Sequence, residues 1–139
     1  MQKALIDAGP LIALFNKDDK YHNNILEFLH TFEGFLFTTW SVVTEVMHMI
    51  NFNVKSQADF LTWISKKGLH ILDVDLSDIG RLIELLLKYS DLPMDLADGS
   101  MILSAEKNNI HDIITIDSDY YVYRLKNKKY FRNILQKYI

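Results

Sequence analysis

The chain has 139 residues, 49% of them hydrophobic, no cysteine and a net charge of −3. That size predicts a single domain over residues 1–139 with one core, and the lack of cysteine excludes disulfides, thiolate metal sites and cysteine nucleophiles. No apolar run reaches the roughly eighteen residues of a membrane span, and the opening "MQKALIDAGP" lacks a signal-peptide layout, so a cytoplasmic location is expected.

Residues 3–7, "KALID", predict a buried strand, because Ala4, Leu5 and Ile6 run on without alternation. Residues 21–32 space Ile25, Phe28, Leu29 and Phe32 at helical intervals. "FLFTT" (35–39) predicts a strand, residues 41–52 and 57–67 predict helices, and "LHILDV" (69–74) predicts a strand. A helix follows over 76–90, with Ser77 as its N-cap, then another over 94–108 and a strand over 112–116. Residues 122–135 predict a last short strand or a turn. This alternation indicates an α/β domain with a mainly parallel sheet covered by helices.

Charge is uneven along the chain. Residues 1–119 hold 18 acidic and nine basic side chains, whereas the last twenty residues hold six basic ones and no acid. Arg124, Lys126, Lys128 and Lys129 lie in that tail, interleaved with Tyr120, Tyr121, Tyr123 and Tyr130. Such a segment can hold a polyanion beside an acidic site and stack bases. A solvated face and packing against the sheet edge are the default readings.

Ligands of open parallel sheets bind beyond the carboxyl ends of the strands. Asp7 follows the first predicted strand and Asp117 follows "IITI", with Asp119 two residues on. Aspartate is also common in turns after strands, so either residue alone carries little. The helical acids carry more. Glu45 lies in "SVVTEVMHMINF", apolar almost all round, a pattern that predicts burial on most sides. Asp98 falls within the apolar stripe of Met94, Ala97, Met101, Ile102 and Ala105. Asp95 and Asp98 also suit a helix start as N-cap and third helical residue. Lys88 and Lys107 are too few to neutralise the set. Converging carboxylates raise one another's pKa unless cations sit among them. Mg²⁺ or Mn²⁺ suits all-oxygen ligands, and such ions assist phosphodiester hydrolysis. His30, His70 and His111 show no ligand spacing; His22 is expected at an exposed helix start in preference to the rim of the site, and His48 as a core or interface residue or a partner of Glu45. Trp40, Trp63, Phe28, Phe32, Phe52 and Phe60 are expected in the core or at a dimer contact.

Together these segments resemble the PIN-domain ribonucleases of the VapC-type toxin branch. "LIDAGPLIALFNKDDKYH" resembles the opening motif with its acid at Asp7, and "SVVTEVMHMI" resembles the helix with its glutamate at Glu45. "MDLADGSMILSAEKNNI" resembles the third motif at Asp98, and "IITIDSDYYVYR" the fourth, with Thr115 and Asp117. The resemblance implies a three-layer α/β/α sandwich, a Mg²⁺- or Mn²⁺-dependent endoribonuclease, frequent homodimers and a small antitoxin that masks the site. Asp7, Glu45, Asp98 and Asp117 are then the expected catalytic and metal-binding set. Asp95, Asp119, Thr115 and Ser41 are accessory candidates, Ser41 as a hydrogen-bonding neighbour of Glu45. Two positions depart from the pattern: Ala8 where a hydroxyl is frequent, and Gly99 where alanine is frequent, at a cost of ~1 kcal/mol to an exposed helix. The alternative is a PIN-like fold without nuclease activity that binds RNA or protein. A phospho-acceptor domain ranks last, since "LIDAG" offers one acid where paired acids are needed.

Overall fold

The computed structural model describes all residues, Met1–Ile139. The expected α/β/α architecture is present. Five parallel strands, β1 (Gln2–Ile6), β2 (Gly34–Thr39), β3 (His70–Leu72), β4 (Asp112–Ile114) and β5 (Arg132–Asn133), lie in the order β3-β2-β1-β4-β5. The helices are α1 (Ala8–Phe15), α2 (His22–Thr31), α3 (Trp40–Met49), α4 (Val54–Ser65), α5 (Ile79–Lys88) and α6 (Leu96–Asn108). No helix is long and apolar enough to cross a membrane.

Strand order matters for the site. From β1 the chain moves outward through β2 to β3, then returns to add β4 and β5 on the other side of β1. The direction of winding therefore reverses between β1 and β4, and a crevice opens beyond their carboxyl ends. Leu5 and Ile6 of β1 and Ile113 and Ile114 of β4 pair in register and are fully buried. Burial of each such side chain contributes ~1.5–3 kcal/mol, so the frame beneath the crevice is stiff.

Helix α1 went unread in the sequence. "AGPLIALF" is short and apolar all round, so no periodicity marks it. Pro10 fits because the first-turn N–H groups lack intrahelical partners. Helix α5 starts differently from the expectation. Ser77 caps nothing; Asp75 and Asp78 form a reciprocal capping box around the 3₁₀ turn Leu76–Asp78, and α5 begins after it. The tail folds into a hairpin closed by an Arg124–Tyr130 bridge before β5. Gly99 is buried, not exposed: a Cβ there would stand 2.5 Å from Leu82 Cδ1, so the glycine lets α5 and α6 approach. Phe28 and Phe60 are buried and Trp63 packs against Phe15, but Trp40 and Phe52 are exposed.

Candidate active site

Asp7 joins β1 to α1 as the N-cap of the helix, so its backbone sits at the carboxyl end of the sheet and its side chain in the crevice. Its backbone N–H donates to the Ile114 carbonyl at 3.0 Å. Thr115, directly after β4, donates its hydroxyl to Asp7 Oδ2 at 3.1 Å and accepts from the Asp117 backbone N–H at 3.0 Å. One hydroxyl therefore spaces two acids. Asn133 of β5 holds Thr115 in turn, accepting from its N–H at 3.4 Å and donating to its carbonyl at 3.0 Å.

Asp98 sits on α6, whose residues from Ala97 to Ala105 are otherwise buried. Asp95 is the N-cap, accepting from the Asp98 backbone N–H at 2.8 Å. The capping reading of Asp95 is thus correct, but it does not occupy the Asp98 carboxylate, which instead accepts from Tyr120 at 3.1 Å and Tyr123 at 2.8 Å. Glu45 is placed from the other side. Thr39 caps α3, and its hydroxyl meets Ser100 of α6 at 2.7 Å, tying the start of α3 to the helix of Asp98.

Asp7, Glu45, Asp95, Asp98 and Asp117 line one cleft of about 350 Å³, with Ala8, Gly9, Ile12, Met49 and Ile116 as its remaining walls. Carboxylate oxygens of Asp98, Asp117 and Asp119 come within 4.8 Å of one another. Asp98 and Asp117 belong to both groupings. No lysine, arginine or histidine lines the cleft. Lys107, on the same helix as Asp98, is engaged by Asp78 and Asp75 at the far end of α6.

The electrostatic result is a set of carboxyls held above their usual range. Burial pushes Asp7 up to about 7, with Asp98 and Asp117 adding repulsion against the lowering effect of its backbone and Thr115 hydrogen bonds. Burial also pushes Asp98 up to about 6; the two tyrosine hydroxyls oppose this, and Asp95 and Asp117 reinforce it. Glu45 is raised by partial desolvation and by Asp95 and Asp117, and Asp119 by desolvation and Asp117.

A model of the PIN domain matches residues 4–126. The chain belongs to the PIN domain family. The PIN fold is also seen in the solved structures it resembles. One is VapC20 of Mycobacterium tuberculosis, a sarcin-ricin-loop-cleaving toxin, with 14% identity, a TM-score of 0.75, and 84% of this chain and 91% of that one covered. Another is VapBC2 from Rickettsia felis bound to a DNA fragment from its promoter, with 15% identity, a TM-score of 0.57, and 86% and 91% covered. No curated protein matches.

Several sequence expectations need correction within this PIN domain. Glu45 is exposed at the rim of the cleft, as are His48 and Met49 on the same helix. Helix α3 buries only Val42, Val43 and Val46, because its other face borders the cleft and solvent. Ser41 makes no bond to Glu45; the hydroxyl bonds of this helix come from Thr39 and Thr44. His22 is a brace, its Nδ1 2.7 Å from the Ala13 carbonyl.

The basic tail takes the default reading, a solvated face, rather than lining the cleft. One terminal nitrogen of Arg124 donates to the carbonyls of Tyr121, Val122 and Tyr123 at 2.7–3.0 Å, and the guanidinium stacks 3.6 Å from the Tyr130 ring centre. Lys126 shares a depression with Glu106, Asn109 and His111, at the end of α6 and ahead of β4. Lys128 and Lys129 lie in the same turn, exposed. That end of the sheet is opposite the cleft. Asn133 escaped the sequence reading altogether, and Tyr120 and Tyr123 were read only as packing or base-stacking residues, not as partners of Asp98. Their signal is tertiary, since each bonds a residue at least eighteen positions away.

Proposed function

We propose that this PIN domain is a metal-dependent endoribonuclease and the toxin of a VapC-type toxin–antitoxin module. The observation that carries this is the cleft at the switch point, where Asp7, Glu45, Asp98 and Asp117 face one another with no cationic side chain among them. Such a set fits Mg²⁺ or Mn²⁺: the donors are all hard oxygens, and Asp7 and Asp98, raised first by burial and then by neighbouring carboxylates, have no cationic partner in the cleft.

Asp7, Glu45 and Asp98 would hold the ion directly or through water, and Asp117 would complete the set. Bound there, the ion supplies Lewis acidity and positive charge for phosphodiester hydrolysis. The chain's own residues do the rest. Thr115 fixes the spacing of Asp7 and Asp117, and one of the four acids orients the attacking water and takes its proton. Asp95 and Asp119 add negative charge at the margins. The similarity to VapC20 and to the VapBC2 complex supports an RNA substrate and a cognate antitoxin for this chain as well, in the cytoplasm. Homodimerisation is supported by the outer face of α5, where Ile79, Ile83 and Leu87, together with Leu76 just before the helix, leave an apolar row in solvent.

The test uses metal-stripped protein and labelled RNA. Cleavage should appear on addition of Mn²⁺ or Mg²⁺, leave 5′-phosphate ends and vanish in excess EDTA. Full activity in EDTA, or no cleavage of any RNA with either ion, refutes the proposal.

A further inference from the structure

The tyrosines of the C-terminal segment, expected to pack or to stack on bases, converge on Asp98. The Tyr120 hydroxyl donates to Oδ1 and the Tyr123 hydroxyl to Oδ2. Both rings are buried. Tyr120 meets Tyr123 edge-on at 5.3 Å and Phe131 at 5.6 Å, and Tyr123 meets Tyr89 at 5.0 Å. The Tyr89 hydroxyl in turn accepts from the Arg124 backbone N–H at 2.9 Å. The phenols are thus locked by an aromatic frame and cannot swing away from the carboxylate.

We propose that Tyr120 and Tyr123 are positioning residues that fix the Asp98 carboxylate for a divalent cation, a role that rests on the metal-dependent reading above. Each carboxylate oxygen has two lone pairs. One on each is taken by a phenol, and the other remains for the cleft, where oxygens of Asp117 and Asp119 stand within 4.8 Å. Mg²⁺ demands near-ideal octahedral geometry, so a ligand whose torsion is set beforehand favours binding. Hydrogen-bond partners that orient metal ligands are typically worth ~10–100-fold in affinity. Packing alone would need only the rings; the carboxylate needs the hydroxyls.

Tyr120→Phe, Tyr123→Phe and the double variant keep the rings and remove the donors. Mn²⁺ is titrated into the metal-stripped full chain without RNA, following loss of the free-ion paramagnetic resonance signal, and the melting temperature of each apo variant is recorded. The double variant should bind Mn²⁺ ~10–100-fold more weakly than wild type, with smaller losses in each single variant. Cleavage should be partly recovered by raising Mn²⁺. In an Asp98→Asn background the same tyrosine changes should alter Mn²⁺ affinity no further. Wild-type Mn²⁺ affinity in the variants, whatever their melting temperatures, would overturn the proposal and leave the phenols a packing role. If the double variant does not fold, the two single variants are judged by the same criterion. Should the wild-type chain take up no Mn²⁺, the metal-dependent reading falls and this role with it, a failure seen before any tyrosine is changed.

Discussion

Asp7→Asn exchanges a carboxylate that is 7% exposed for an amide of nearly the same shape. The folded apo protein holds this carboxyl at about 7, against 3.8 for the ordinary group. The folded chain therefore binds the proton more tightly than the unfolded one. Its stability contribution is complete below about pH 4 and is lost as pH rises through about 7. The gap corresponds to about 4 kcal/mol for one buried group. Asparagine has no such dependence, and Thr115 can still donate to its carbonyl oxygen. Urea denaturation in EDTA between pH 4.5 and pH 8 should show the variant gaining on wild type by about 3 kcal/mol across that range, the part of the gap that this window covers. Any fixed cost of the amide shifts both ends equally and leaves the trend. A difference between the two proteins that stays constant with pH would refute this account of Asp7 as a carboxyl whose burial, reinforced by its acidic neighbours, holds it protonated.

Mn²⁺ should raise the melting temperature of the wild-type chain by linkage, and raise that of Asp98→Asn less, with cleavage lost in the variant; equal shifts would show that Asp98 is structural. Arg124→Ala should cost ~2 kcal/mol in urea denaturation, since its bonds to three carbonyls and its stack on Tyr130 are lost. Lys126, Lys128 and Lys129 changed together to Gln should leave the salt dependence of binding to a short RNA unchanged, because they stand opposite the cleft; a fall of about one unit of slope per lysine would place RNA on the hairpin. Gly99→Ala, read by the same urea assay, should bring no gain in stability, because displacing Leu82 offsets the ~1 kcal/mol of helix propensity.

The layered fold was legible because burial leaves a periodic trace. Ala4, Leu5 and Ile6 run on without alternation in a strand covered on both faces, and Ile25 and Phe28 sit at helical spacing on the buried side of α2. Helix α1 left no trace because its eight residues are nearly all apolar. The acids of the cleft were legible for a different reason. A carboxylate at a strand end or in an apolar stripe is conspicuous where one chain segment alone predicts burial. Glu45 misled in detail, since an apolar helix surface can border a cleft as well as a core. The tyrosines on Asp98 and the asparagine on Thr115 could not be read, because nothing in "YYVY" or "RNIL" says what lies across the sheet.

The hydrogen bond from Thr115 to Asp7 joins residues 108 positions apart. A growing chain makes Asp7 and Glu45 early and Asp98 later, yet the cleft is incomplete until β4 slots in beside β1 and the tyrosines arrive behind it. At ~5–20 residues per second, first and last acid are separated by on the order of ten seconds of synthesis. Throughout that interval the carboxylates of the nascent chain are not assembled. The order of its strands acts as a timer, completing the acidic cleft only when the chain is nearly finished.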